Sequence, residues 1–370
     1  MKILLRLLLK THHQRNRSGL AQTEKGMTLV ELLVGSIMAF LIITPMLGFV
    51  VDMLNTDRRE QVKSNTEQDL QAAVDFIAQD LSQAIYIYDN NPVLTTATTT
   101  GTGIPAIKSQ LPPLPLNTNG TPILVFWKRQ QIRNAVPVNA TLTTKPSECK
   151  PTALPGKAGE CNDTYVLSLV AYYQIKNIDA TWCQPSGSLA TCPTRIARYE
   201  IRDGVKNPNP NSLDPNNPYY SLTDPEEDAP DSAFNKEFNI SKPTVNVTNL
   251  SELKASSGNP QVLVNYIDHS STNVLVPTGV QCQTLLGVTP PTGPGATTFN
   301  PNDLLITDTS SKPTHSFYAC VDTSKNIARV TLRGNSLRRL QANDAEFKTT
   351  SSAFFPTATV QVQGLGARGK

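Results

Sequence analysis

A single carboxylate, Glu31, lies near the start of an otherwise lipid-loving run from Met27 to Val51. A charged carboxylate is costly inside a bilayer, and such residues are usually functional and usually paired. The run contains no Lys, Arg or His. The partner of Glu31 must therefore come from outside the run, or the carboxylate must be protonated. The chemistry that these residues predict is ion pairing in an apolar medium.

The apolar run is long enough to cross a membrane. Its 25 residues are apolar except for two threonines, one serine and Glu31. As a helix they span roughly 37 Å, more than the bilayer core of about 30 Å. Residues 1–26 carry a net charge of +5, and acidic side chains follow the run. This asymmetry predicts a single membrane crossing with the N-terminus in the cytoplasm and the rest of the chain exported. We expect the membrane to be the inner membrane and the exported part to lie in the periplasm. The remaining chain holds about −2, which indicates no nucleic-acid-binding face.

The order of segments differs from that of a secretory signal, in which a cleavage site follows the apolar region. Here a basic arm and Gly26 come first, so cleavage on the cytoplasmic side fits better. The sequence Lys25–Leu32, KGMTLVEL, resembles the processing site of type IV prepilins and type II secretion pseudopilins. The resemblance implies that a prepilin peptidase cuts after Gly26 and methylates the new N-terminus, Met27. The family usually has Phe where Met27 stands.

The same resemblance implies a role for Glu31 and for Pro45. Glu31 becomes the fifth mature residue, able to meet the Met27 amine of a neighbouring subunit in a filament. Opposite charges attract strongly in a low dielectric, so this pair would favour correct register during assembly. Pro45 matches the proline that kinks the helix in many pilins. The implied partners are the prepilin peptidase, other pilins or pseudopilins, the inner-membrane assembly platform and membrane lipid.

A second apolar pattern follows the membrane run. No Pro or Gly occurs between Val51 and Pro92, and Leu70, Val74, Ile77, Leu81 and Ile85 form one helical stripe. Acidic Asp69, Asp75 and Asp80 are expected off the stripe. The pattern in Leu70–Leu81 is similar to W-type minor pilins and J-type minor pseudopilins, and more narrowly to the pseudopilins of cyanobacterial hormogonium polysaccharide secretion. That narrower resemblance implies a polysaccharide cargo or partner.

The rest of the chain predicts a β-rich head. Short runs with β-branched residues, several of them alternating, predict seven strands: Pro122–Trp127, Tyr165–Lys176, Arg195–Arg202, Gln261–Tyr266, Ser316–Val321, Ile327–Arg333 and Thr357–Val362. The fold class is therefore α+β with long loops. The resemblance implies a pilin-like fold, in which a long N-terminal helix packs on an antiparallel sheet. The predicted segments are a leader (1–26), a membrane or filament-core helix (27–51), its amphipathic continuation (52–88), a Pro/Thr/Gly-rich surface loop (89–121) and the exported head (122–370).

All the cysteines lie in the head, and their even number in an exported domain favours disulfides. Six cysteines allow 15 pairings. Pairing between sequence neighbours is favoured because each such pair flanks a loop, and no C-x-x-C spacing indicates a redox dithiol or a zinc ribbon. The candidates are Cys149, Cys161, Cys183, Cys192, Cys282 and Cys320.

Nothing in the sequence indicates an enzyme, a cofactor or a bound metal. The mature chain holds only two histidines, His269 and His315, and no G-x-S-x-G, H-E-x-x-H or phosphate-loop pattern. Six acidic residues in 214–231 offer Ca²⁺ ligands, but a solvated loop is the favoured interpretation. Trp127–Arg133, WKRQQIR, combines an aromatic with cations and could touch an anionic polysaccharide; an exposed strand end is favoured.

The leading hypothesis is a minor pseudopilin that enters a short filament driving export, with polysaccharide as the cargo that the resemblance implies. An adhesin-like minor pilin whose head binds a surface or sugar ligand is the alternative. A membrane-anchored exported enzyme is a third class, and it would need a catalytic cluster that the sequence does not display.

Overall fold

The computed structural model describes residues 26, 28–94, 107–108, 111, 119–139, 149, 161–184, 192–207, 219, 229–231, 234, 261–292 and 298–366. The chain divides into two units, residues 1–58 and residues 59–370. A long helix, α1 (Leu29–Ser82), begins in the first unit and ends in the second. Antiparallel strands and a few short helices follow it, so the α+β class with a long N-terminal helix is confirmed.

Nine strands form two antiparallel sheets in the described part of the second unit. The five-stranded sheet has the order β1-β2-β3-β4-β5, and the four-stranded sheet has the order β6-β7-β8-β9. The strands are β1 (Ala84–Ile87), β2 (Asn119–Pro137), β3 (Cys161–Lys176), β4 (Thr194–Arg202), β5 (Gln261–Ile267), β6 (Leu305–Thr307), β7 (Phe317–Asp322), β8 (Ile327–Arg333) and β9 (Thr357–Gln363). Each of the seven strands predicted from the sequence is present, five of them with bounds within one residue, whereas β2 extends ten residues beyond its predicted end and β3 begins four residues earlier.

Short helices lie between the strands: α2 (Asn90–Leu94), α3 (Gly279–Leu286) and α4 (Leu337–Leu340), with 3₁₀ turns at Pro301–Leu304 and Thr349–Phe354. Helix α3 has strong local signals. Thr278 and Gln281 form a reciprocal capping box, and Gly287 ends the helix with φ +60°, a left-handed conformation that glycine adopts without strain.

The stripe on α1 packs into one core that joins both sheets. Leu70, Val74, Ile77 and Leu81 are buried in a cluster with side chains such as Phe126, Tyr172 and Phe317. Gly334 lies against the same helix: a Cβ there would come within 2.8 Å of Thr66 Cγ2 and 2.9 Å of Leu70 Cδ1. The helix therefore fills the core of the second unit.

The predicted helical continuation over 52–88 is wrong at its end. Helix α1 stops at Ser82, and residues 84–87 form β1. Ile85, Tyr86 and Ile87 are β-branched or aromatic, and β2 offers them an edge: Ala84 pairs with Lys128 and Tyr86 with Trp127 across a bulge. Tertiary pairing overrides the helical pattern here.

The predicted surface loop over 89–121 also needs correction in its described part. Pro92 and Val93 in α2 are buried, and so are Ile107 and Leu111. β2 begins at Asn119, three residues before the predicted start, and its partner β3 extends beside it to Lys176. Apolar side chains within this Thr- and Pro-rich segment therefore contribute to the core.

Three disulfides link sequence neighbours: Cys149–Cys161, Cys183–Cys192 and Cys282–Cys320. This is the pairing that the loop positions favoured. The third bond joins α3 to β7 over a small apolar cluster containing Leu286, Leu304 and Leu305. A satellite core of this size gains much of its stability from the cross-link.

Ile77→Ala should lower the free energy of unfolding by about 2–5 kcal/mol, because it removes a fully buried side chain and leaves a cavity. Thermal unfolding of the full chain in detergent, followed by circular dichroism, measures the change. The matched control is Gln79→Ala on the exposed side of the same helix, with an expected change within about 0.5 kcal/mol. Equal effects of the two variants would contradict the packing of α1.

Candidate functional site

The start of α1 is the site that the sequence predicts. Gly26 is exposed, and Met27 lies outside the described residues. The Glu31 backbone N–H donates to Thr28 Oγ1 at 3.3 Å and to Thr28 O at 3.0 Å, so Thr28 caps the first turn. Glu31 stands three residues after this cap, where an acidic side chain also meets the positive end of the helix dipole. Sequence reasoning missed the cap, although T-x-x-E is its signature.

Around Glu31 the helix presents apolar side chains on every face. Large apolar residues from Leu29 to Leu54 are 48% exposed or more, and the segment has no packing partner in the described part of the chain. The Glu31 carboxylate is likewise exposed and forms no ion pair among the described residues. Such a helix is compatible with a single-pass membrane anchor. Pro45 lies within the helix, and the kink remains a prediction.

A second charged arrangement lies where α1 crosses the five-stranded sheet. Asp80, on α1, is buried and contacts side chains from three strands. Lys128 Nζ on β2 lies 3.1 Å from Asp80 Oδ1, the Tyr172 hydroxyl on β3 donates to Oδ2 at 2.7 Å, and Arg198 Nε on β4 donates to Oδ2 at 2.6 Å. These four side chains hold the helix to the sheet.

Glu200 completes this cluster by balancing its charge. Its carboxylate lies 3.0 Å from Lys128 Nζ and 2.6 Å from an Arg198 terminal nitrogen. Two cations and two carboxylates thus share one buried site, and Arg198 also lies 5.7 Å from the centre of the Phe76 ring. We call Asp80, Lys128, Tyr172, Arg198 and Glu200 the helix–sheet charge cluster.

Burial and charge act in opposite directions on the two carboxyl groups. Burial by itself raises the pKa of Asp80, but hydrogen bonds from Arg198 and Tyr172 and the charge of Lys128 outweigh it and hold the pKa below its ordinary value. The pKa of Glu200 is lowered in the same way, against burial, by Lys128 and Arg198. Both groups are therefore ionised at neutral pH, and the cluster is neutral as a whole.

Sequence reasoning placed Asp80 off the apolar stripe, and the structure shows that its side chain is nevertheless buried. Asp80 lies three residues after Ile77 and four before Ala84, both of which are fully buried. This spacing places Asp80 on the flank of the stripe and was available in the sequence. Its cationic partners lie 48 and 118 residues away, so only the folded chain brings them together.

The WKRQQIR segment is not an exposed strand end at its start. Trp127 is fully buried, with its indole N–H donating to the Tyr88 hydroxyl at 3.0 Å, and Lys128 belongs to the charge cluster. Arg129 is exposed and stacks 3.6 Å from the centre of the Tyr165 ring. Trp127 therefore cannot form a surface platform for a polysaccharide, because its side chain is fully buried.

The other candidate residues show no metal arrangement. Of the acidic residues in 214–231, only Asp231 is described, and it accepts a hydrogen bond from the Arg202 N–H. His315 Nδ1 lies 3.0 Å from Thr307 Oγ1, and His269 is buried. Within the described ranges, no three His, Cys, Asp or Glu side chains are positioned to hold a metal ion.

A polar cleft of about 500 Å³ opens beside the ends of β2 and β3. Asp308 is buried at its wall, accepts hydrogen bonds from Ser310, and lies 3.2 Å from Lys176 Nζ. Gln174 donates to Ser316 at 3.0 Å, while its Oε1 has no partner in the described part of the chain. The lining residues are Gly120, Thr121, Gln174, Lys176, Asp308, Ser310, Ser311 and Lys312.

Comparison of the chain with protein-family models, with curated proteins and with solved structures finds no match. The function is therefore argued from the residues themselves.

Asp80→Asn should destabilise the protein by about 3–5 kcal/mol, because it leaves Lys128 and Arg198 buried with only Glu200 to balance them. Urea unfolding of the full chain in detergent measures this. The control is Asp75→Asn, an exposed acid on the same helix, with an expected change within about 0.5 kcal/mol.

Acid should weaken the same cluster. Because the folded pKa values of Asp80 and Glu200 are lowered, their stabilisation is fully present above the unfolded pKa values of about 4 and is lost as the pH falls below them. The stability of Asp80→Asn should therefore fall less steeply with acid than that of the natural chain. Parallel acid profiles would contradict the ionised cluster.

Proposed function

We propose that this chain is a minor pseudopilin, processed by a prepilin peptidase and assembled into a short pilus-like filament that supports export. The observation that carries the proposal is the bare Glu31 carboxylate in the first turn of a helix that exposes apolar side chains on every face. A helix of this kind needs an apolar environment, and the carboxylate then needs a cation there. The basic leader and the Gly26–Met27 junction supply one by cleavage.

The pairing follows from elementary electrostatics. Cleavage after Gly26 makes the Met27 α-amine, with an ordinary pKa of about 8, the new N-terminus. Within one subunit this amine is only four residues from Glu31, but in a stack of parallel helices it also meets the Glu31 of a neighbour. An ion pair in a low dielectric is strong, and an unpaired charge there is costly. The free-energy penalty for leaving the Met27 amine or the Glu31 carboxylate unpaired would therefore select the correct register between neighbouring subunits.

A minor place in the filament fits the size of the second unit. Residues 59–370 follow the membrane segment, and long connections separate the strands. A repeating subunit must present one compact surface to every neighbour, which such connections hinder. The polysaccharide cargo is the narrower part of the proposal and depends on the resemblance of Leu70–Leu81. The partners would be other pseudopilins, the inner-membrane platform and lipid, with the second unit in the periplasm.

A minor pilin with a ligand-binding head is the second candidate. The polar cleft favours it, since the hydroxyl and ammonium groups of Thr121, Ser310, Ser311, Lys176 and Lys312 that line it could hydrogen-bond to a sugar or surface ligand. Display of the protein at a filament tip would support this function. Retention at the filament base would support the pseudopilin.

Processing should remove residues 1–26 and leave an N-methylated Met27, since the junction lies between a basic leader and the apolar run. Mass spectrometry of the native membrane protein measures the N-terminal peptide. An intact N-terminal peptide beginning at Met1 in assembled material would contradict the proposal.

Glu31→Gln should leave membrane insertion intact and reduce filament incorporation about tenfold or more, because the amide cannot form the ion pair. Gln at this helix position can still complete a capping box with Thr28, so helix capping is retained. Incorporation is measured by quantitative immunoblotting of sheared filaments. Glu60→Gln, an exposed acid beyond the apolar run, is the matched control and should incorporate normally.

If Glu31 only caps its own helix, Glu31→Gln will assemble normally, and that result would contradict the ion pair. Glu31→Ala removes both capabilities and should assemble no better than Glu31→Gln.

A further inference from the structure

The four outer strands of the two sheets differ in how well they could accept another strand. β6 has three residues, and β1 has four with a bulge. β5 has seven residues, but its register with β4 is interrupted twice, and it borders a groove against α1. β9 also has seven residues, and it pairs with β8 in unbroken register from end to end. Only β9 combines length and regularity among the described strands.

The hydrogen bonds flanking β9 show which of its peptide groups are free. The Gly334 N–H donates to Pro356 O and the Gly364 N–H donates to Asn326 O, each at 2.9 Å. Hydrogen-bonded pairs alternate in an antiparallel ladder, so residues 358, 360 and 362 bond to β8. The peptide groups of the alternate residues point to the open edge: Thr357, Thr359, Gln361 and Gln363.

The side chains of β9 leave this edge unprotected. The side chains of the four residues whose peptide groups point to the open edge are exposed. The side chains of Ala358, Val360 and Val362 pack against the core. Edge strands are usually guarded by a charge, a proline or a bulge, and β9 has none of these. Beyond the strand the chain turns toward β1, where a Cβ at Gly364 would lie 2.3 Å from Ala84 O. The described continuation, residues 364–366, therefore leads away from the edge.

We propose that β9 pairs with β9 of a second copy of this chain, antiparallel about a two-fold axis through Val360. The two four-stranded sheets then become one continuous sheet. In this register Thr357 faces the second copy's Gln363 and Thr359 faces its Gln361. All four free N–H groups and all four free carbonyls of each strand find partners.

We assign the open edge of β9 to a second copy of the chain because the strand is complementary to itself in this register. Polar side chains meet polar ones on the exposed face, and Ala358, Val360 and Val362 meet their apolar counterparts on the core face. No charged group lies on β9, so self-pairing places no like charges opposite each other. The interface is isologous, as a two-fold dimer requires. This inference is independent of the proposed function.

The first test compares Gln361→Pro with Gln361→Ala in the full-length chain in detergent, using sedimentation across a concentration series. Both variants lose the contact between Gln361 and Arg329. Only the proline also removes an N–H, and that N–H points away from β8, so the fold is preserved. We expect the proline to raise the dimer dissociation constant about tenfold or more and the alanine to change it about twofold or less.

The second test uses a single introduced cysteine, since the described native cysteines are all in disulfides. Val360→Cys places two thiols at a non-hydrogen-bonded pair, where Cα atoms lie about 4.5 Å apart, within disulfide range. Ala358→Cys lies on the same face, but its symmetry mate is several residues away along the strand. We expect a covalent dimer with Val360→Cys and none with Ala358→Cys.

Four results would overturn the proposal, and the first three concern the chain alone. They are a monomer at every concentration, a dimer whose dissociation constant Gln361→Pro does not change, and equal cross-linking by both cysteine variants. Dimerisation lost in Gln361→Pro together with selective cross-linking at position 360 would establish it. A higher complex that forms only with other filament subunits also counts against it, since the occupant would then be a different chain.

Discussion

The free-energy cost of burying charged side chains is the main constraint on this structure. The helix–sheet charge cluster offsets this cost by pairing the charges. Asp80 approaches the sheet on the packed flank of α1, where an isolated carboxylate would be strongly disfavoured. Lys128, Arg198 and Tyr172 each come from a different strand, so the carboxylate is satisfied only when β2, β3 and β4 are in register. The position of α1 and the order of these strands thus depend on one another. An apolar residue could fill the same space, but it would not couple them.

Helix α1 contains two sequences with different surroundings. From Leu29 to Leu54 its apolar side chains are exposed on every face, whereas from Thr66 to Leu81 they form one buried stripe among polar residues. The first pattern requires an apolar medium all around the helix, and the second requires a sheet on one side. Charges mark the transition, because Asp52, Asp57, Arg58 and Arg59 are all exposed. A single helix therefore provides both a membrane-compatible segment and a core element.

The features that the sequence predicted depend on residues close together in the chain. The features that it missed depend on contacts between residues far apart in the chain. The seven strands and the stripe from Leu70 to Leu81 follow from local periodicity and composition, and each is present. The neighbouring cysteines also pair across short separations. By contrast, the sequence of β1 follows a helical pattern, and only pairing with β2 makes it a strand. Trp127 and Lys128 resemble a strand end in the sequence, but both are buried and β2 continues to Pro137. Partners separated by dozens of residues leave no periodic signal.

The described chain contains charged groups that are paired internally and polar groups that are left without a partner. Within the charge cluster every ionised group has an opposite charge within 3.1 Å, and β5, the other long edge, is irregular in its pairing. The Glu31 carboxylate and the outer edge of β9 lack such partners in the described chain. In water neither omission is costly, because solvent supplies the missing bonds. Removal of water changes this: a carboxylate in an apolar medium needs a cation, and a row of peptide groups needs another strand. Both features are therefore neutral for the isolated molecule and favour association wherever water is excluded.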